Sequence, residues 1–192
     1  MSSDPDPYSA NGPTNDAVEQ RTWEWFHSAA AARFGPAYYQ DLHPLGGDNW
    51  PDILAVRAHS RVGFEITSPL RPEDVVRKGN NHTYEDDSDL PAQARLEKRV
   101  VEAVRRKIKK YGQGKSEIPL ALLITLAHPS SQRLFSQIDL RRLTGVVRGH
   151  LSNFLHQPLD AVYLVGPGAR AHLLWRRRGP KWKKLFPELN GA

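Results

Sequence analysis

Two acids define the chemistry this chain could carry out. Asp52 follows Pro51 at the mouth of a short apolar run ending at Val56, and Glu65 lies inside a second run, Arg61 to Thr67. A polar break at Ala58–Ser60 separates them. β-branched and aromatic residues on both sides of a turn signal read as two strands joined by a tight connection. Side chains alternate faces along a strand, so Asp52, Leu54 and Val56 share one face, and Gly63, Glu65 and Thr67 share one face of the next. A loop centred between Ala58 and His59 sets Asp52 opposite Glu65, with Cβ atoms roughly 5 Å apart. Carboxylates that close repel by up to about 4 kcal/mol in a partly screened site. A cation between them, or a shared proton, turns the repulsion into attraction. The pair is therefore a candidate metal site. A loop one residue longer would take Glu65 out of register and leave it facing water.

At these residues the sequence resembles the PD-(D/E)XK nuclease superfamily, the restriction-endonuclease-like phosphodiesterases. Pro51-Asp52 stands for the first half of that signature, and Glu65-Ile66-Thr67 for its acid-x-Lys triplet. Thr67 occupies the position of the family lysine, a departure that some branches meet by carrying the lysine on the following helix. The resemblance implies an αβββαβ core over residues 15–126, Mg²⁺ or Mn²⁺ held by Asp52, Glu65 and the carbonyl of Ile66, and a catalytic cation from Lys107, with Lys110 as second choice. It also implies that the leading helix can lend an acid to the outer shell of the metal, for which Glu19 is the choice.

Other chemistries find less support. There is no cysteine, which removes disulfides, thiol catalysis and Cys-ligated zinc. The eight histidines form no H-E-x-x-H or comparable pair, and no phosphate loop or nucleophile elbow is present. His82, Glu85, Asp86 and Asp87 cluster without a ligand spacing.

The elements that must position the acids can be read in order. Residues 1–14 are acidic and Pro-rich, a disordered leader unlike a signal peptide. Asn15 to about Phe34 reads as a helix with Val18, Thr22 or Trp23, Trp25, Phe26, Ala29 and Ala30 on its apolar face, stopped by Gly35-Pro36. Ala37–Leu42 is a candidate strand. After Thr67 a polar segment runs to about Asp89, a disordered loop or a lid. From Pro91, Leu96, Val100, Val104, Ile108 and Tyr111 recur at the helical period, with Gly112 and Gly114 as the stop. Lys107 sits at the margin of that stripe, from where a snorkelling amine could reach a strand face. Ile118–Ala127 reads as a strand buried on both faces at the sheet centre. Asp139 to about Phe154 reads as a second amphipathic helix, Ala161–Val165 as a buried strand and Ala169–Trp175 as an edge strand.

Charge divides the chain. Residues 1–92 hold 7 Lys and Arg against 15 Asp and Glu, and residues 93–192 hold 20 against 6. An acidic half carrying a metal pair beside a basic half suits a phosphodiester substrate. Arg105, Arg106 and Lys109 on the helix, and Arg176, Arg177, Arg178, Lys181, Lys183 and Lys184 interleaved with Trp182 in the last segment, are candidate contacts to phosphate and base. The expected architecture is one α/β domain over 15–192: a mixed central sheet flanked by helices, with a C-terminal helix-strand extension (127–175) and a basic tail (176–192). The expected activity is metal-dependent hydrolysis of nucleic acid, DNA before RNA, by a cytoplasmic protein with no membrane span, a homodimer being compatible. The alternative is a nuclease-like fold that binds nucleic acid without catalysis.

Overall fold

The computed structural model describes residues 15–44, 51–69, 92–112, 117–126, 138–152 and 158–189. The leader, the polar segment between Arg71 and Asp89, and Phe154 lie outside them. The elements run α1 (Asn15–Phe34), β1 (Gln40–Pro44), β2 (Ile53–Arg57), β3 (Ser60–Thr67), α2 (Ala92–Tyr111), β4 (Leu120–Thr125), α3 (Leu140–Ser152), β5 (Ala161–Gly166), β6 (Arg170–Arg176) and α4 (Pro180–Leu185). Among the described residues six strands form one sheet in sequence order. The pairs β1–β2, β2–β3 and β5–β6 are antiparallel, while β3–β4 and β4–β5 are parallel. The architecture is thus α/β, with a mixed sheet flanked by helices.

The two parallel steps are crossovers through α2 and α3. Both proceed in the same direction along the sheet, and crossovers share one hand, so both helices fall on the same face. Leu96, Val100, Val104 and Ile108 of α2 and Leu143, Val147 and Leu151 of α3 bury against Leu120, Leu122 and Ile124 of β4 and Val162 and Leu164 of β5. The alternate residues Ala121, Leu123, Ala161 and Tyr163 turn to the other face, where Trp23, Phe26 and Ala30 of α1 meet Phe64 and Phe186. Every residue of β4 and β5 is buried, as a strand covered on both faces requires. Gly112, with φ of 74°, ends α2 in the left-handed conformation that glycine adopts without a Cβ penalty.

Two expectations are corrected. The first strand begins at Gln40 rather than Ala37. Tyr38 and Tyr39 precede it and pack as aromatics, Tyr39 against Phe26 and Phe64 with centroids 5.7 and 5.3 Å apart. Nor is the last segment a free tail. It turns back as α4 and buries Leu185, Phe186 and Leu189 in the α1-side core. The buried hydroxyls of Tyr39 and Tyr163 donate to the carbonyls of Leu185 and Pro187, each at 2.7 Å. Among the described residues no helix is long and apolar enough to cross a membrane.

Candidate metal centre

The hairpin that carries the two acids closes as its sequence requires. Arg57 pairs with Ser60, which leaves Ala58 and His59 as a two-residue turn. Both have positive φ, 50° and 64°, the type I′ geometry whose twist matches that of the flanking strands. Ile53 pairs with Phe64, so one further step in register sets Asp52 opposite Glu65. Both fall on the α2 side, because Ile53, Phe64 and Ile66 are committed to the α1-side core.

Two hydrogen bonds hold the acids. The Ile66 N–H donates to Asp52 Oδ2 at 2.6 Å, tying the first acid to the strand that bears the second. Lys107 Nζ donates to Glu65 Oε2 at 2.6 Å. Glu65 is 1% exposed and Lys107 16%, so this is a largely desolvated ion pair on the helix-covered face. Tyr111, one turn beyond Lys107, completes the cluster: Lys107 Nζ and Lys110 Nζ stand 5.9 and 5.2 Å from its ring centroid. Burial first, and then the neighbouring Glu65 carboxylate, push the Tyr111 phenol far above its ordinary range. Burial also raises the Asp52 carboxyl. The Ile66 N–H opposes that rise, Glu65 adds to it, and Lys107 and Lys110 offset it.

The backbone behind Asp52 leaves no spare room. A Cβ at Gly63 would lie 2.8 Å from Pro51 Cγ and 3.1 Å from Leu120 Cδ1. Gly63→Ala should therefore push the Pro51-Asp52 corner away from β3, at about 1–3 kcal/mol for an overpacked site. A melting curve, together with loss of the Asp52–Ile66 contact in a crystal structure, checks this; an unchanged melting temperature would show that the corner gives way freely.

The remaining candidates are distributed unevenly. Thr67 ends β3 on the face of Glu65, paired with Ile124, and the ammonium expected in its place comes from α2 instead. Lys107 contacts Glu65, while Lys110 is exposed and acts on Asp52 only through its field. Glu19 belongs to a different element from Lys107. It lies on α1 one turn before Thr22, whose hydroxyl is 2.7 Å from that of Thr125, and α1 covers the opposite face of the sheet. Among the described residues no group of three or more His, Asp or Glu stands close enough to hold a metal. Tyr111 was legible only as a core residue, although its position four after Lys107 puts both on one helix face.

The basic candidates fall into two groups. Arg106 donates to the Ser68 carbonyl at 3.3 Å and Arg105 to His150 Nε2 at 3.2 Å, and both are exposed, as is Lys109. Arg176 donates to the Phe186 carbonyl at 2.7 Å, and Arg177 to Asp160 Oδ1 at 2.6 Å. Trp182 lies parallel to Phe186, with centroids 6.4 Å apart. These three hold the C-terminal segment onto the sheet, whereas Arg178, Lys181, Lys183 and Lys184 are exposed. Compared with protein-family models, with curated proteins and with solved structures, the chain matches none.

Proposed function

We propose that the protein is a metal-dependent nuclease that hydrolyses phosphodiester bonds, a variant of the PD-(D/E)XK type with its lysine displaced from the strand to the following helix. One observation carries the reading: Asp52, Glu65 and Lys107, from two neighbouring strands and the next helix, converge on one face of the sheet, with Lys107 Nζ 2.6 Å from Glu65. The order α1-β1-β2-β3-α2-β4 over residues 15–125 agrees with an αβββαβ core.

The donor set suits magnesium, which is commonly bound through one or two carboxylates and completed by water and substrate phosphate. Asp52 and Glu65, with the Ile66 carbonyl, would hold Mg²⁺ or Mn²⁺. The ion, when bound, would supply a Lewis acid that lowers the pKa of water and neutralises charge growing on the phosphate. The Ile66 N–H fixes the orientation of Asp52, and burial of Glu65 keeps bulk water from screening it. Lys107 holds a positive charge beside Glu65, where the scissile phosphate would gain negative charge. Arg106 and Lys109, exposed along α2, are placed to hold the backbone of the nucleic acid, DNA being favoured over RNA.

Plasmid and single-stranded DNA incubated with Mg²⁺, Mn²⁺ or EDTA should be cut only with the metals. Asp52→Asn and Glu65→Gln should each abolish cleavage, and Lys107→Ala should slow it by about 10²-fold or more, the scale of one lost charged transition-state contact. Wild-type protein without metal-dependent product would sink the reading. A second reading, a nuclease-like module that binds nucleic acid without cutting it, is favoured by the fact that both acids are already satisfied within the chain, Asp52 by Ile66 and Glu65 by Lys107. DNA binding without cleavage under all three conditions would select it.

A further inference from the structure

A second basic feature lies away from the acids. Between α3, the end of β6 and α4 runs a cleft of about 870 Å³, lined by Arg148, Trp175, Arg178 and Lys183 together with the aliphatic parts of Leu151 and Leu173. Arg176 and Arg177 also line it, but their guanidinium groups are held by the Phe186 carbonyl and by Asp160. Among the described residues Glu188 is the one acid in the lining, and Arg176 stands 3.9 Å from it. Arg148, Arg178 and Lys183 are exposed, and among the described residues none of the three makes an ion pair. Three exposed cations, outnumbering the acid among the described residues of the lining, stand with a half-buried indole and form a surface that selects a chain of anions with flat apolar groups between them.

The sheet places this cleft relative to the acids. Glu65 pairs with Leu122, Leu122 with Val162, and Val162 with Trp175, so Glu65 and Trp175 stand in one row across the sheet. Three strand spacings separate them, roughly 14 Å. Over that row lies the seam of α2 and α3, where Arg105 donates to His150 at 3.2 Å. Arg148 precedes His150 by two residues and reaches the cleft. Arg106, Arg105, Arg148 and Arg178 thus follow one another from the acid pair to the cleft.

We infer that the cleft between α3, β6 and α4 is a second nucleic-acid contact, which holds the phosphodiester backbone of a strand about four nucleotides or more from the scissile bond, at about 3.4 Å per nucleotide along one strand. It rests on the nucleic-acid reading given above, but not on catalysis. An acidic protein partner is the less favoured occupant, because the half-buried indole of Trp175 lies in the lining among the cations and the cations are spread along a track instead of gathered at one point.

The test measures binding with EDTA present, so that it stands apart from cleavage. A fluorescein-labelled single strand of about 20 nucleotides is titrated with protein between about 50 and 200 mM salt. The triple variant Arg148→Ala, Arg178→Ala, Lys183→Ala should bind about tenfold or more weakly, with a slope of log K against log salt flatter by about 2, near 0.7 for each lost contact. The charge-keeping variant Arg148→Lys, Arg178→Lys, Lys183→Arg should keep the wild-type slope. All three side chains are exposed, so a melting temperature close to wild type accompanies both results. An unchanged slope in the alanine variant overturns the proposal, even if metal-dependent cleavage is found. Absence of strand binding by the wild type overturns it too, as does competition by polyglutamate as effective as that of an unlabelled strand of equal charge. Loss of slope in a protein that never cleaves supports the cleft while refuting the nuclease.

Discussion

Replacing Glu65 by Ala should lower stability by about 3–5 kcal/mol, the penalty for removing one member of a buried ion pair and leaving the other without its counter-charge. Lys107 is only 16% exposed and cannot carry its ammonium fully into water without moving its stem off the sheet. Lys107→Met should be costly for the converse reason, since Glu65, 1% exposed, would keep a desolvated charge. The double variant Glu65→Leu, Lys107→Met should recover most of the loss, because apolar residues of similar volume replace the whole pair. A double-mutant cycle from urea melts measures this coupling. Additive single effects below about 1 kcal/mol would show that the pair is solvated.

Asp52 should behave in the opposite way. Its folded-state pKa is raised by burial ahead of any other cause. A carboxyl that holds its proton more tightly when folded than unfolded weakens the fold once pH rises through its folded-state pKa, and adds nothing below the unfolded one. Asp52→Asn should therefore raise the melting temperature at neutral pH, by a few degrees if about 1 kcal/mol is recovered, and the gain should vanish in acid. The amide oxygen can still accept from Ile66. Two acids that look equivalent in sequence are thus separated by their partners: a backbone N–H leaves Asp52 short of charge compensation, and an ammonium gives it to Glu65.

That difference marks where the sequence stopped being legible. The hairpin could be read because strand alternation and a two-residue turn leave one register compatible with burying Ile53, Ala55, Val62 and Phe64. The reach of Lys107 followed from its place at the edge of an apolar stripe whose four main members are all buried. The side of the sheet that α1 covers could not be read, since the broad Trp, Phe and Ala face of that helix suits either. Tyr38-Tyr39 resembles a strand in composition, but large rings were used to fill the space between α1 and the sheet. The last segment misled most. Its charges outnumber its apolar residues, and periodicity over six helical residues is too short to show that Leu185 and Phe186 face inward.

Removal of Arg176 to Ala192 should consequently unfold the domain, not merely weaken its grip on nucleic acid. The deletion strips Leu185, Phe186 and Leu189 from the core and the Arg177 guanidinium from Asp160. It also leaves the hydroxyls of Tyr39 and Tyr163 without their carbonyl acceptors. Truncating a buried Phe costs about 3–5 kcal/mol, and each orphaned buried hydroxyl about 1–3. Those terms together reach the whole stability of an ordinary domain, about 5–15 kcal/mol. Phe186→Ala alone should lower the melting temperature by roughly 6–20 °C, at about 2–4 °C per kcal/mol. The exposed substitutions Lys181→Ala and Lys184→Ala should each leave it within about 2 °C, since surface substitutions of this kind seldom exceed about 0.5 kcal/mol. Circular dichroism melts of the three proteins separate the two roles of the segment. A truncated chain that melts cooperatively near the wild-type temperature would mean that Phe186 does not hold the sheet to α1, and would return the segment to the status of a detachable basic tail.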